Sequence, residues 1–371
     1  PGAEEKHAND QEDYYNIFCS LQHGAILYTT QMTGHHWLFS ALIATAVLGA
    51  VGVSVYVLTQ LNILAPGTTS VAQNTVKTAP ATILPSPTPV PPTPISLVFV
   101  GDMMFDRHIR QNAQKRGGYD VMLSPGLKEL FAQADLVVGN LEGPVTDNPS
   151  KSVGSVVGSP ANYSFTFEPA IVQFLYDHNI RLVNLGNNHI LNFGQSGLEQ
   201  THELLDAGQI ASFGVTGRDK EYQSWHIMTI DETRFGFVNY NQFTPDAWER
   251  ALSDLEEVRP MADVVIVYTH WGNEYVPENA VLKSQAKELV AAGADLIIGS
   301  HPHVVTGTEV IDSTKIYYSL GNFIFDQYFE PAVRAGLVVQ ADYDPTTRSF
   351  QFTDIPVKLE PNGTTSLQSE L

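Results

Sequence analysis

Five apolar runs of this 371-residue chain end in residues that can ligate a cation or share a proton. They are Asp102 after ISLVFVG, Asn140 and Glu142 in ADLVVGNLE, Asn188 and His189 after IRLVNLG, His270 in ADVVIVYTHWG, and His301 and His303 after ADLIIGS. Carboxylate, amide oxygen and imidazole, with no thiolate among them, suit Mn, Fe, Zn or a similar divalent ion. Glu142 is a candidate for a carboxylate shared between two ions. Two ions about 3.5–4 Å apart generate hydroxide near neutral pH and clamp a phosphoryl or acyl oxygen. The chemistry such a set points to is hydrolysis, with one or two divalent ions as cofactor. Taken alone, His-Pro-His after a strand reads equally as an ordinary loop, and His189 alone as the cap of the next turn; the company of Asp102, Asn188 and His270 favours a site.

Residues spread over two hundred positions can meet only if the elements carrying them are stacked side by side. From Ile95 onward, nearly continuous β-branched runs at 95–102, 134–142, 180–189, 235–241, 262–272, 294–304 and 315–323 predict strands covered on both faces. Helical spacing at 168–179, 196–208 and 282–293 falls between them, each stretch ending near Gly or Asn. Alternating strands and helices make a layered α/β domain, and in open sheets of this kind ligands bind outside the carboxyl ends of the strands. Runs 335–344 and 350–360 follow one another without a helix and predict an antiparallel hairpin at a sheet edge or in a second sheet; 361–371 reads as a polar, frayed tail. Gly101, Gly139, Gly186 and Gly299 are expected to permit tight strand-to-loop turns.

The rest of the chain limits where such a domain works. Forty Asp plus Glu against twenty Lys plus Arg give a net charge of -20, which argues against a nucleic-acid partner and against lying on an anionic bilayer through a basic face. An acidic substrate would need a cation as intermediary. The single cysteine, Cys19, forms no intrachain disulfide, so stability must come from the core. Residues 1–36 are polar and mixed. Residues 37–59, WLFSALIATAVLGAVGVSVYVLT, are uncharged and long enough to cross about 30 Å of hydrocarbon as a single transmembrane helix, with Trp37 and Tyr56 near its ends as interfacial aromatics. Residues 60–94 are rich in Pro, Thr, Ser and Ala and read as a semi-extended spacer to a globular domain at 95–360. Lys6 and Lys77 alone flank the span, so charge does not orient it.

The motifs GDMMFDR, GNLEGPV, FEPAIVQFLYDHNIRLVNLGNNHILNFG, THWGNEY, GSHPHVV and YSLGNFIFDQ, in this order over about residues 96–326, resemble the CapA family of capsule-synthesis proteins associated with poly-γ-glutamate, within the calcineurin-like metallophosphoesterase superfamily. The resemblance implies a metallophosphoesterase-like layered β-sandwich flanked by helices, anchored in the cell membrane by one N-terminal helix, with its catalytic domain extracytoplasmic. Carried over residue by residue, it implies Asp102 as a ligand of the first ion, Glu142 as the bridge and Asn188 on the second ion. His270 follows as a further ligand, and His301 and His303 as one ligand for each ion. It implies His189 as the group that protonates a leaving group or steadies the transition state.

Arg107 would meet an anionic substrate, or else form a surface ion pair. Glu274 would orient His270 through its second ring nitrogen. Asn140 and Asn322 would support the rim. Met104 stands where phosphoesterases of the superfamily carry a His, which leaves mononuclear or structural use of the site open. The implied function is synthesis, export or anchoring of an anionic surface polymer, with membrane synthase or export subunits as partners. The rivals are an extracytoplasmic metal-dependent phosphodiesterase or phosphatase, and a non-catalytic polymer-binding subunit.

Overall fold

A computed structural model describes residues 93–215 and 223–370. The span at 37–59 and the spacer at 60–94 therefore lie outside the described residues, apart from the last two spacer positions. Among the described residues no helix is long and apolar enough to cross a membrane. Among the described residues fourteen strands form two sheets: β1 (Ile95–Met103), β2 (Leu136–Leu141), β3 (Ile180–Asn184), β4 (Ala211–Phe213), β5 (Trp225–Ile230), β6 (Thr233–Asn241), β7 (Val264–His270), β8 (Leu296–Ser300), β9 (Thr308–Ile311), β10 (Thr314–Tyr317), β11 (Asn322–Ile324), β12 (Ala335–Asp344), β13 (Ser349–Leu359) and β14 (Thr365–Leu367). The α-helices of the described residues are α1 (Arg107–Arg116), α2 (Pro125–Gln133), α3 (Ala170–Asp177), α4 (Gly194–Ala207), α5 (Ala247–Val258) and α6 (Ala280–Ala291).

The first sheet runs β14-β13-β12-β1-β2-β3-β4, with β11 pairing to the end of β1; the second runs β5-β6-β7-β8-β10-β9. In the first sheet β1 to β4 are parallel and β12 to β14 extend it antiparallel on the other side of β1; in the second, β6, β7, β8 and β10 are parallel and β5 and β9 close the edges antiparallel. The alternation along β1 shows why the layers form. Leu97 and Phe99 enter the apolar layer between the sheets with Phe237, Ile266 and Ile298. Val98 and Val100 point the other way, against Ile109 of α1, Leu127 of α2 and Leu198 of α4. The second sheet repeats the pattern, sending Val265 and Val267 onto Leu255 of α5 and Leu289 of α6. The result is a helix–sheet–sheet–helix sandwich with three apolar layers, so every central strand is buried on both faces and reads in sequence as an unbroken apolar run.

Each predicted run contains strand, although 180–189 runs past β3 and 315–323 spans β10 and the start of β11, and the three predicted helices are α3, α4 and α6. The hairpin β12–β13 joins the first sheet directly beside β1. Helices α1, α2 and α5 and strands β4, β5 and β9 were not predicted; α1, RHIRQNAQKR, buries only Ile109, Arg110 and Ala113. Residues read as a frayed tail instead supply β14, paired antiparallel to β13 from Leu367 opposite Val357, and Glu370 accepts from the Ser124 hydroxyl and the Gly126 amide at the start of α2. Gly101 serves close approach rather than a turn. It lies inside β1, and a Cβ there would stand 1.9 Å from the carbonyl oxygen of Gly321, the atom that accepts the Asp102 amide at 3.0 Å.

Candidate metal centre

Strand register sets the floor of the site. Asp102 stands opposite Asn140 on one side and Asn322 on the other, and Asn140 stands opposite Asn184. In the second sheet His270 stands opposite Ser300. Asp102, Asn140, Asn184, His270, Ser300 and Asn322 are all fully buried, at 0% exposure. Both Asp102 oxygens are engaged: Oδ1 accepts from Asn140 Nδ2 at 2.8 Å, and Oδ2 accepts from the His301 amide at 3.1 Å and lies 3.3 Å from His303 Nδ1.

Glu142 follows β2, its amide donating to the Met103 carbonyl at 2.9 Å. Its side chain is fully buried and neither carboxylate oxygen has a hydrogen-bond partner. A carboxylate in that position is costly unless a cation or proton accompanies it. Burial first, and the neighbouring Asp102 charge second, push its pKa well above the carboxylate range, with His303 opposing. Glu142 belongs to two overlapping groups whose donor atoms lie within 4.8 Å of one another: Glu142 with His270 and His301, and Glu142 with Asp102 and His303. Each group offers hard oxygen and imidazole donors, as a borderline divalent ion requires. The orphaned carboxylate and this donor set fit one or two such ions, with Glu142 common to both.

Side-chain partners hold the rings of His303 and His270 in place. Asn322 directs its Nδ2 to the carbonyls of His303 and Val333 and to Gln327, so its Oδ1 must accept the His303 Nδ1 proton, at 2.9 Å. That leaves His303 Nε2 facing Glu142 Oε1 at 3.7 Å. Ser300 Oγ donates to the Thr269 carbonyl and lies 3.0 Å from His270 Nδ1, while His270 Nε2 lies 3.0 Å from Asn188 Oδ1 and 3.9 Å from Glu142. His301 Nδ1 is buried and unpartnered, and its ring packs on Phe243 and His270. Burial lowers His270 and His301 below the ordinary imidazole value. In His303 burial also pulls downward, but the Glu142 and Asp102 carboxylates outweigh it and raise the group to about 10. His301 and His303 adopt φ of +95° and +58°. Left-handed backbone at two histidines flanking a proline is strain that the surroundings must hold in place.

The structure brings Asp102, Glu142, Asn188, His270, His301 and His303 together, with Asn140 and Asn322 beneath them. His189 sits at the rim, its ring stacked on Phe165 at 4.4 Å. Asn192 Oδ1 accepts from the Phe165 amide and lies 3.1 Å from His189 Nδ1; burial lowers this group to about 4, against the pull of Asn192 and of a hydrogen bond to the Tyr163 backbone. Arg107 lies over the Phe165 and Phe325 rings and pairs with Asp326, and its charge is felt at Glu142 and His189. Glu274 is exposed and acts electrostatically on His303 and Tyr275; the contacts at His270 Nδ1 come from Ser300 and Asn140 instead. Met104 turns into the core beneath α1, where its sulfur accepts the Asp106 amide at 3.0 Å. Sequence reasoning passed over Asn184, Asn187, Asn239, Ser300 and Asp326. The strand-end asparagines of LVNLGNN and FVNYN were the available signal.

Fold and site together define an α/β sandwich with a buried carboxylate–imidazole cluster at the carboxyl ends of strands from both sheets, a layering consistent with the calcineurin-like superfamily. Residues 96–327 match the family described as bacterial capsule synthesis protein PGA_cap, and the chain belongs to that family. It is 30% identical over 280 residues to the PGA biosynthesis protein CapA of Bacillus subtilis (strain 168), covering 71% of this chain and 72% of that protein. It is 28% identical over 257 residues to the capsule biosynthesis protein CapA of Bacillus anthracis, covering 63% of this chain and 60% of that protein. A crystal structure of a hypothetical protein from Thermus thermophilus superposes with TM-score 0.46 at 15% identity, over 71% of this chain and 99% of that one.

Proposed function

We propose that this chain is a membrane-anchored protein acting outside the cell membrane in the synthesis, export or anchoring of an anionic capsule polymer, poly-γ-glutamate, through a divalent-metal hydrolase site. Membership of the capsule-synthesis family supports the process. The uncharged stretch 37–59 and the spacer after it support the anchor and the reach. The observation that carries the site is Glu142, buried, unpartnered and common to two donor groups.

In this reading Asp102, Glu142 and His303 hold one ion, and Glu142, Asn188, His270 and His301 a second. Bound there, divalent ions supply a polarised scissile oxygen and a water of lowered pKa. The chain's own residues do the rest. His189 takes a proton from the attacking water and returns it to the leaving amine. Arg107, held by Asp326, offsets negative charge on the substrate. The bond cleaved is a γ-glutamyl amide.

A second reading, a non-catalytic polymer-binding subunit of a membrane synthase complex, is favoured by Met104, which leaves the first donor group without an imidazole from β1. One experiment tests both. Purified chain is assayed for bound metal, for poly-γ-glutamate hydrolysis and for phosphodiester hydrolysis, with His189→Ala and His303→Ala alongside. Polymer cleavage lost in both variants supports the proposal. Polymer binding by metal-loaded protein without turnover supports the second reading, and phosphodiester turnover lost in both variants would indicate an extracytoplasmic phosphodiesterase.

A further inference from the structure

The donor groups draw on both sheets, so their geometry depends on whatever fixes one sheet against the other at this end of the sandwich. A chain of side-chain amides spans that gap. Asn239 of β6, in the second sheet, donates from Nδ2 to Asn184 Oδ1 at 2.9 Å. Asn184 of β3, in the first sheet, donates to Asn140 Oδ1 at 3.0 Å, and Asn140 donates to Asp102 Oδ1 at 2.8 Å. All three amides give from the nitrogen toward Asp102, and those of Asn184 and Asn140 receive at the oxygen. Asn187 adds a second donor to Asn140 Oδ1 at 3.2 Å, which prevents the Asn140 amide from turning its oxygen to the carboxylate. The far end is anchored as well, since Asn239 Nδ2 also reaches the carbonyls of Gly186 and Tyr268 at 3.3 Å.

Packing gives an independent indication that the space is reserved for this chain. A Cβ on Gly186 would stand 2.2 Å from Asn239 Oδ1, although the backbone there is of a kind any residue adopts. All four asparagines, with Asn187 included, are buried, Asn239 the most exposed at 8%. Four amides buried between sheets are costly unless every group is paired and are rigid when it is.

We infer that Asn184 and Asn239 are positioning residues, which act through Asn140 to lock the Asp102 carboxylate in the orientation an ion requires and to fix the two ligand-bearing sheet ends against each other. This rests on the metal-centre reading above. Outer partners of metal ligands typically contribute about 10- to 100-fold to metal affinity.

The test uses the full chain with Mn2+ as probe. Affinity is measured by chelator competition for wild type, Asn184→Ala, Gly186→Ala and, as a control for general destabilisation, Leu255→Ala in α5. Gly186→Ala deletes no polar group but displaces the Asn239 amide, so it reports on the chain even where Asn184→Ala fails to fold. The expected result is a loss of about 10- to 100-fold in the first two variants and less than about twofold in the control. Affinity within about twofold of wild type in a folded Gly186→Ala protein overturns the inference. The second readout needs no metal: a crystal structure of the chelator-treated variant should show the Asn140 amide and Asp102 carboxylate rotated, and unchanged positions overturn the inference. A wild-type chain that binds no Mn2+ sinks the metal-centre reading, and the chelator-treated structure then decides the inference by itself.

Discussion

His303 Nδ1 donates to Asn322 Oδ1 at 2.9 Å, and the amide nitrogen of Asn322 is committed to three further acceptors. The two residues lie nineteen positions apart, yet β11 pairs with the end of β1 so that Asn322 stands beside Asp102. One asparagine thus holds the His303 ring while flanking Asp102.

Replacing Asn322 by Ala should free the His303 ring and weaken divalent-ion affinity by about 10- to 100-fold, as loss of an outer partner does. Asn322→Asp keeps the acceptor for Nδ1 but loses the amide donor, so it should fall between wild type and Ala. Isothermal titration with Mn2+ on the three proteins checks the order, and equal affinities would refute the role.

Glu142→Gln should act in opposite directions with and without metal. Ionising Glu142 in its buried site is unfavourable, as the upward shift of its pKa records. A neutral isostere removes that cost, so in chelator the variant's Tm should equal or exceed that of wild type. Added metal should then raise the wild-type Tm and leave the variant's unchanged, since stabilisation by a ligand needs binding to the native state. Thermal scans with and without Mn2+ measure both halves.

Arg107 is sandwiched on Phe165 and Phe325 and held by Asp326, whose carboxylate also accepts the His108 amide. Arg107→Gln should weaken binding of poly-γ-glutamate by about tenfold, roughly the 1–3 kcal/mol of a charge-assisted hydrogen bond. The salt dependence of binding should flatten with it. Asp326→Asn should reproduce part of the loss by letting the guanidinium move. A salt series by fluorescence anisotropy decides; identical slopes in wild type and Arg107→Gln would rule the contact out.

His202, buried in α4 beside Ser212, is lowered by burial from 6.5 to about 4. The unfolded chain takes up this proton near pH 6.5 and the folded chain only near pH 4. The unfolded state therefore binds more protons between those values, and stability should fall as pH drops through that window, by about 2 kcal/mol at this site. Urea unfolding at about pH 7 and about pH 4.5 measures the fall. His202→Gln should shrink it, and an unchanged difference would show that other groups carry the acid sensitivity.

Much of this was legible in the one-dimensional pattern because the sandwich buries its central strands on both faces. Runs such as ADVVIVYTHWG announce themselves by apolar continuity and end where the polar residue must emerge. Asp102, Glu142, Asn188, His270, His301 and His303 were readable for that reason. Helices α1 and α5 were not read: α1 is mostly polar and buries only Ile109, Arg110 and Ala113, and the apolar face of α5, Ala251, Leu255 and Val258, is interspersed with acidic residues. The role given to Glu274 illustrates the limit: adjacency to the His270 strand suggested a partner, whereas register placed Ser300 there.

Sequence alone determined which chemical groups are present and at which strand ends, since residue type and apolar periodicity are local properties. Only tertiary structure decided which groups meet. The assignment of His301 and His303 to different donor groups, the sharing of Glu142 and the amide chain from Asn239 to Asp102 depend on the register between strands and on the spacing of two sheets. Those are set by packing across the apolar layers, and no stretch of neighbouring residues encodes them.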